Sequence, residues 1–273
     1  MSGRIRQELI YFFSGLSFYT RVPCPAWVPY SPHNLNKSRK YLPLIGLLIG
    51  VIAALIYMFC GLLMPSSVSI SLSMIATVYL TGAFHEDGLA DCADGFGGGW
   101  EKAQILAIMK DSRIGVYGTI ILVLILGLKF ILLMELQLIS DQLLMLALMV
   151  GHSLSRLMSS LTMQFYDYVS ELSSSKSQSV TSVKLNGREM LWSISLPILG
   201  LLSLFIFSLM VGSSIDWLLG APYLFVIAVL APSLIAYTLA KYYQRRIGGY
   251  TGDCLGATQQ LTEIAFYIVL IIH

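Results

Sequence analysis

Charged residues are scarce in this sequence. Asp, Glu, Lys and Arg make up 12% of its 273 residues, whereas 56% are hydrophobic. Soluble domains carry about 25% charged and about 45–50% apolar residues, so a water-soluble fold is nearly excluded. The formal net charge of +2 is too small for a general attraction to nucleic acid, and we expect no nucleic-acid partner.

Cysteine is also rare. The four cysteines are Cys24, Cys60, Cys92 and Cys254, and no two of them form a Cys-x-x-Cys pair. This spacing predicts neither a zinc site nor an iron–sulfur cluster. We interpret them as reduced thiols that pack in the protein interior.

Long apolar stretches, in contrast, are abundant. About 20 apolar residues cross a bilayer as a helix, because backbone polar groups in hydrocarbon must bond within their own segment. The stretches predicted to do so are 42–64, 68–84, 120–138, 143–163, 191–211, 218–240 and 258–272. We therefore predict an all-α, polytopic membrane bundle of about seven transmembrane helices, forming one catalytic domain over residues 1–273.

The basic residues predict an orientation. Lys and Arg in loops stay on the cytoplasmic side far more often than not. If the N-terminus is cytoplasmic, all of the 17 basic residues except Lys129 and Arg156 lie in cytoplasmic segments. We therefore expect a multi-pass protein of the cytoplasmic (inner) membrane. Short interfacial helices are predicted at 9–19 and 102–110, and a Ser-rich flexible connector at 170–182.

The most informative stretch follows the second predicted span. On a helix, Asp87, Asp91 and Asp94 stand at i, i+4 and i+7 on one face, where like charges destabilise each other. These three side chains are called the aspartate row. Their spacing predicts that they hold a hard cation, and Mg²⁺ bridging carboxylates and substrate phosphates is the usual case. The alternative is a solvated acidic helix end, although charges beside hydrocarbon tend to be functional.

Cations and glycines near this stretch suggest a phosphate site. The glycine-rich run 95–99 would let backbone N–H groups approach a phosphate closely. Lys110 and Arg113, with Asp111 between them, would neutralise phosphate oxygens. The alternative interpretation of both cations is positive-inside anchoring of the third span.

Two further places add polar groups to the predicted site. Arg156 lies inside an apolar span, where an arginine is a functional candidate, although a structural pair with Glu135 or Asp141 is the alternative. Arg246 and Asp253 flank a glycine-containing segment that opens the last span and suits an anion-binding turn at a helix N-terminus. A plain turn is the alternative there.

Together these groups predict phosphoryl transfer at the cytoplasmic face of the membrane. Such chemistry depends mostly on positioning and on charge stabilisation. One carboxylate of the aspartate row, or Asp111, is the candidate proton acceptor for an attacking hydroxyl. Two alternatives stay open, a membrane phosphotransferase that uses a CDP-activated alcohol and, in a different class, a transporter.

Three motifs, in order along the chain, also carry a family resemblance. They are His85-x-Asp87-Gly88-Leu89-Ala90-Asp91-x-x-Asp94-Gly95, Met109-Lys110-Asp111-Ser112-Arg113-x-Gly115-x-x-Gly118 and Gly248-Gly249-x-Thr251-Gly252-Asp253-x-Leu255-Gly256-Ala257. With them, the sequence resembles the cobalamin synthases, also called adenosylcobinamide-GDP ribazoletransferases, over essentially its whole length.

The resemblance implies an integral membrane enzyme that requires Mg²⁺ and completes the nucleotide loop of cobalamin. The expected substrates are adenosylcobinamide-GDP and α-ribazole or its 5′-phosphate, and the expected products are adenosylcobalamin or its phosphate and GMP. The aspartate row would hold the metal, and Asp253 would complete the metal or ribose site from the last span. The residues expected to bind substrate are His85, Lys110, Arg113, Arg156, Arg246 and Asp253. A homo-oligomer is left open by the sequence.

Overall fold

The computed structural model describes residues 3–169, 184–211 and 215–272. Its helices are α1 (Gly3–Tyr19), α2 (Pro32–Ser38), α3 (Leu42–Gly61), α4 (Ser66–Thr81), α5 (Phe84–Gly98), α6 (Lys102–Met109), α7 (Val116–Ile139), α8 (Asp141–Phe165), α9 (Gly187–Val211), α10 (Ile215–Ile247) and α11 (Gly252–Ile271). No β-strand forms within these ranges, so the all-α prediction is confirmed. The connector predicted at 170–182 lies outside the described residues.

Several of these helices are long and apolar enough to cross a membrane. In the described part of the chain six segments qualify: Pro32–Gly61, Val116–Ile139, Asp141–Phe165, Gly187–Phe207, Phe225–Ile247 and Gly252–Ile271. A seventh crossing results if α4 and α5, which meet at an angle of 84°, count as one broken span. The predicted polytopic bundle is therefore confirmed, whereas the side on which the N-terminus lies stays a prediction.

The second predicted span ends earlier than the sequence suggested. The apolar stretch continues to Phe84, but α4 ends at Thr81 and Phe84 already belongs to α5. Gly82 and Ala83 lie between them with φ angles of 68° and 58°. Two successive left-handed residues turn the chain sharply, and hydropathy does not register this turn because Ala83 and Phe84 are themselves apolar.

Helix α1 is a 17-residue helix, shorter than the roughly 20 residues that cross a bilayer. It contains the segment predicted as an interfacial helix. Glu8 ties it to the start of α3, since its carboxylate lies 2.6 Å from Lys40 Nζ and accepts a hydrogen bond of 2.7 Å from the Tyr41 hydroxyl. The location of α1 at the membrane surface stays a prediction.

Helix α8 lies at the centre of the bundle, with 83% of its most apolar 18-residue stretch buried. It packs closely on α3, because a Cβ atom at Gly46 or Gly50 would collide with the α8 backbone at His152 or Leu148. Small residues of this kind let membrane helices approach each other. Helix α11 packs on α8 and on α5, and this arrangement brings polar residues of four helices together.

Candidate active site

The α4–α5 turn positions the predicted aspartate helix. Arg21, which follows α1, donates a backbone hydrogen bond of 2.7 Å to the Leu80 carbonyl. Its guanidinium also lies over the Tyr79 ring, 5.1 Å from the ring centroid. The absence of a side chain at Gly82 leaves room for Arg21, since a Cβ atom there would lie 3.0 Å from Arg21 Nε. The segment after α1 therefore holds the turn from which α5 starts.

Two glycines allow α5 to approach the N-terminal end of α11. A Cβ atom at Gly88 would lie 2.9 Å from the Cα and carbonyl oxygen of Asp253, and one at Gly256 would lie 3.0 Å from the His85 carbonyl oxygen. At the same contact, the sulfur atoms of the buried free cysteines Cys92 and Cys254 are 3.9 Å apart. Residues distant in sequence thus become neighbours. The prediction of packed thiols is confirmed for these two and is wrong for Cys24, which is exposed.

This contact forms the acidic cluster, which we define as Asp87, Asp91 and Asp253. Asp87 is exposed and the other two are partly buried. Partial burial, followed by repulsion from Asp253, Asp87 and Asp94, raises the pKa of Asp91 to about 7. The repulsion on the Asp91 carboxylate favours a bound cation, which would remove it.

Asp94, the third member of the aspartate row, has a different environment. It is 9% exposed, and its two carboxylate oxygens accept hydrogen bonds from the backbone N–H groups of Gly115 at 2.7 Å and Gly118 at 2.9 Å. A Cβ atom at either glycine would collide with this carboxylate. Asp94 therefore holds the N-terminus of α7. Its negative charge also interacts favourably with the positive end of the helix dipole.

The donor chemistry fits Mg²⁺ better than a softer metal. Among the described residues, no three His, Cys, Asp or Glu side chains are already gathered closely enough to hold a metal ion. However, Mg²⁺ is usually bound by one or two carboxylates together with substrate phosphates and water, and not by a cage made of protein alone. The oxygen ligands of the acidic cluster suit that mode of binding.

The predicted cations of the α6–α7 loop lie at the surface. Arg113 pairs with Asp111 at 2.6 Å, and the side chain of Arg113 is 87% exposed. Hydrogen bonding from Arg113 lowers the pKa of Asp111 to about 2, which makes this carboxylate a poor proton acceptor. Lys110 is also exposed.

The glycine run and Arg246 have packing roles that the sequence did not predict. Cβ atoms at Gly95 and Gly99 would lie 2.6 and 2.7 Å from Met109 and Ile105, so these glycines let α6 pack against the end of α5. Arg246 donates hydrogen bonds of 2.8 Å to the Gly99 carbonyl and to the Tyr242 hydroxyl. A cation at this position also suits the C-terminus of α5.

Backbone hydrogen bonds hold the turn before α11 that was predicted to bind an anion. Tyr250 donates to the Asp167 carbonyl at 3.0 Å, and Val169 donates to the Tyr250 carbonyl at 2.8 Å. A Cβ atom at Gly249 would collide with the Asp167 carbonyl. Helix α11 begins at Gly252, and the Thr251 hydroxyl caps it by accepting the N–H of Cys254.

Arg156 is buried in the bundle, as predicted. Its Nη1 donates to the His152 carbonyl at 3.0 Å and lies 3.2 Å from His152 Nδ1. Between the described residues, no ion pair or hydrogen bond joins Arg156 to the alternative partners Glu135 and Asp141, and the carboxylate of Asp141 accepts hydrogen bonds from Tyr57 and Gln137. His85 is buried in contact with Phe84 and lines one cavity together with Arg156.

An anion on α11 completes the surroundings of Arg156. Glu263 is fully buried, lies 2.6 Å from Lys129 Nζ and 3.5 Å from His152 Nδ1, and accepts a hydrogen bond of 2.6 Å from Gln259. We call Lys129, His152, Arg156, Gln259 and Glu263 the buried polar network. It joins α7, α8 and α11.

The comparison with known proteins decides the family. The chain matches the family of cobalamin-5-phosphate synthases over residues 11–271. It belongs to this family. Relatives named adenosylcobinamide-GDP ribazoletransferase are 45% identical in Shewanella woodyi, over 98% of this chain and 97% of the relative, and 42% identical in Shewanella frigidimarina, over 99% and 98%. The relative of that name from Vibrio cholerae is 38% identical over 99% and 97%. No solved structure matches the chain significantly.

Membership of the cobalamin-5-phosphate synthase family makes the chain a transferase of cobalamin biosynthesis, and the resemblance seen in the sequence is confirmed. The sequence did not reveal that Lys129 and Glu263 form an ion pair. A signal was present, because opposite charges in two apolar spans are costly unless they meet. The functional roles of the site residues stay predictions, and the structure gives the position of each residue.

Proposed function

We propose that the protein transfers the adenosylcobinamide phosphate group of adenosylcobinamide-GDP to the ribose 3′-hydroxyl of α-ribazole or its 5′-phosphate. The hydroxyl oxygen forms a bond to the phosphorus that bears the cobinamide arm. The bond from that phosphorus to the bridging oxygen breaks, and GMP leaves. The products are GMP and adenosylcobalamin or its phosphate. The observation that carries this proposal is the acidic cluster at the α5–α11 contact in a chain of this family.

Asp87, Asp91 and Asp253 are the residues that would hold Mg²⁺. When bound, the ion would neutralise negative charge on the diphosphate and on the cluster itself. Asp94 is not included, because both of its carboxylate oxygens are already engaged by the N-terminus of α7. This proposal retains two members of the aspartate row and adds Asp253 from α11.

The remaining groups act by charge and by proton transfer. Asp111 is a poor base beside Arg113, so we assign the proton of the attacking hydroxyl to a carboxylate of the acidic cluster. Arg113 is exposed and donates to Asp111 through Nε and Nη2, so its Nη1 group would bind phosphate oxygens while Asp111 stays paired. Lys110 adds positive charge on the same loop, and Arg246 adds it at the end of α5.

The test is a turnover assay with purified protein in lipid nanodiscs. Adenosylcobinamide-GDP and α-ribazole are supplied with Mg²⁺ or with EDTA, and nucleotide release is measured. We expect GMP release that requires both substrates and Mg²⁺. CMP release from a CDP-activated alcohol, or α-ribazole uptake into proteoliposomes without any covalent product, would contradict the proposal.

A Mg²⁺ titration tests the acidic cluster separately. Asp91→Asn and Asp253→Asn are each expected to raise the half-saturating Mg²⁺ concentration by about tenfold or more, since one carboxylate ligand is lost. Glu101→Gln is a matched control, because Glu101 is an exposed acid that precedes α6. Variants that lose activity while their Mg²⁺ dependence stays that of the wild type would remove the metal assignment.

A further inference from the structure

A groove lies between the N-terminal half of α1 and the start of α3. It contains about 470 Å³ of accessible space and is open to the outside of the bundle. Its walls are almost entirely apolar and come from Ile5, Leu9 and Phe12 of α1 and from Leu44 of α3. We call this space the α1–α3 groove. Its size and its walls suit part of a hydrocarbon chain.

The groove forms because the two helices pack tightly at one end of their contact. A Cβ atom at Gly15 would lie 2.9 Å from Ser38 Cβ and 3.2 Å from Ile45 Cδ1, so the C-terminal half of α1 lies close to the beginning of α3. Nearer the N-terminus of α1, Ile5 is 53% exposed. The N-terminal half of α1 therefore stands away from α3 and leaves the groove open.

The groove continues into an exposed apolar face of α3. Leu44 is followed at intervals of three or four residues by Leu48, Ile52, Leu55 and Phe59, which are 38% to 60% exposed. This spacing places them along one side of the helix. Helix α3 belongs to a segment that is long and apolar enough to cross a membrane. A hydrocarbon chain in the groove would therefore extend along this face, which itself suits contact with lipid.

Arg4 gives the α1–α3 groove a positive charge. Arg4 lines the groove and is exposed, and no ion pair joins it to a carboxylate in the described part of the chain. Glu8 also lines the groove, but its carboxylate lies 2.6 Å from Lys40 Nζ and accepts a hydrogen bond of 2.7 Å from the Tyr41 hydroxyl. Apolar walls and a net positive charge complement an anionic head group that carries a hydrocarbon chain.

We propose that the α1–α3 groove binds one anionic phospholipid, with the lipid phosphate on Arg4 and one acyl chain between α1 and α3. The predicted interfacial position of α1 puts Arg4 at the level of the head groups and the groove at the level of the upper acyl chain. The guanidinium fork of arginine suits phosphate oxygens. This lipid site is separate from the acidic cluster and does not depend on the proposed transfer reaction.

Other ligands match the groove less well. A zwitterionic lipid brings an ammonium group, and the Glu8 carboxylate that could accept it is already paired with Lys40. A free phosphate ion would use Arg4 but would leave the apolar walls uncovered. The groove therefore favours a lipid with a net negative charge over a zwitterionic lipid and over a soluble anion.

The first test measures lipid selectivity. Full-length protein is purified in detergent, because a bilayer would supply lipid to every exposed face, and native mass spectrometry gives the affinity for the first bound lipid. We expect phosphatidylglycerol to bind about fivefold more tightly than phosphatidylcholine. In Arg4→Gln this ratio should fall towards one. Arg188→Gln, which changes an exposed arginine at the start of α9, is the matched control and should keep the wild-type ratio.

The outcome of the first test is decisive because Arg4 is exposed and its replacement should not disturb the fold. Equal affinities for the two lipids in the wild type overturn the proposal. A preference for phosphatidylglycerol that is the same in Arg4→Gln as in the wild type also overturns it.

The second test locates the acyl chain. Phosphatidylglycerol with a diazirine in its acyl chain is irradiated with the protein, and the crosslinked peptides are identified. We expect crosslinks to α1 between residues 5 and 12 and to α3 at Leu44 and Leu48. Unlabelled phosphatidylglycerol should suppress them, whereas glycerol 3-phosphate, the same phosphate without chains, should not. Leu9→Trp, which fills the groove, should remove most of the crosslinks to α3. Val123→Trp, at an exposed position of α7, is the control and should leave them unchanged.

Two results of the crosslinking would contradict a lipid in the groove. Crosslinks spread evenly over the exposed faces of the described helices, without competition by phosphatidylglycerol, would show only the lipid that surrounds any membrane protein. Suppression by glycerol 3-phosphate as strong as by phosphatidylglycerol would show a site for a soluble anion.

Discussion

Residues of the same type have different tasks along α5. Asp87 and Asp91 share the acidic cluster with Asp253, whereas Asp94 holds the first turn of α7. The spacing of the aspartate row predicts one helical face, and the structure confirms the helix. The spacing could not predict that Asp94 differs from Asp87 and Asp91, because Gly115 and Gly118 reach Asp94 only after α7 has packed on α5.

The task of Asp94 leads to a stability prediction. Asp94→Ala should lower the free energy of unfolding by about 2 to 4 kcal/mol, because the buried N–H of Gly118 and the partly buried N–H of Gly115 lose a charged acceptor. Equilibrium unfolding in mixed SDS micelles measures the change. Asp87→Ala, an exposed member of the same row, is the control and should leave the stability within about 0.5 kcal/mol. An Asp94→Ala protein as stable as the wild type would refute the capping role.

At the scale of elements, the turn between α4 and α5 sets the direction of the aspartate helix. Ala83 has a φ of 58°, a left-handed conformation that costs an alanine about 1 to 2 kcal/mol. Gly82, beside it, has a φ of 68° without that cost. The turn is therefore built from one permissive and one strained residue.

Opposite substitutions at these two positions should have opposite effects. Ala83→Gly is expected to stabilise the protein by about 0.5 to 1 kcal/mol, since glycine relieves the strain at some cost in entropy. Gly82→Ala is expected to destabilise it by about 1 to 2 kcal/mol, and the new Cβ atom would also crowd Arg21 Nε at 3.0 Å. The same unfolding assay measures both. A loss of stability in Ala83→Gly would show that the turn is not strained.

Most elements were predictable from the sequence, and their contacts were not. Hydropathy located the long helices, because a bilayer demands continuous apolar stretches. It placed the end of α4 too late, since conformations at Gly82 and Ala83 leave no trace in apolarity. It also could not place Gly88 against Asp253, because that contact depends on how α5 and α11 pack. The acidic residues were thus identified as candidates before their grouping was known.

At the scale of the whole molecule, one ion pair links helices that are distant in sequence. Lys129 on α7 lies 2.6 Å from Glu263 on α11, and both side chains are almost fully buried. Tyr267 and Gln259 also donate hydrogen bonds to Glu263, at 2.9 and 2.6 Å. Glu263 therefore has several partners, whereas Glu263 is the only anion paired with Lys129 in the described part of the chain.

This asymmetry predicts unequal effects of the two single substitutions. Glu263→Gln leaves the Lys129 charge buried without its anion and should cost about 3 to 5 kcal/mol. Lys129→Met should cost less, since Glu263 keeps its other donors. In the double variant, neutral at both positions, we expect most of the loss to be recovered. Unfolding in mixed micelles gives all three values, and strictly additive single effects would argue against a direct pair.

The distribution of positive charge predicts how the whole bundle sits in the membrane. If the N-terminus is cytoplasmic, the exposed Cys24 after α1 faces the cytoplasm, and the turn between α3 and α4, where Leu63 is 88% exposed, faces outward. A membrane-impermeant maleimide should then label Cys24 in inverted vesicles only. In a chain with Cys24 and Cys60 replaced by Ser, Leu63→Cys should react in intact cells. Labelling in detergent is the control, because there both thiols are accessible. The reverse pattern would put the acidic cluster on the outer side, away from any cytoplasmic pool of nucleotide-activated substrate.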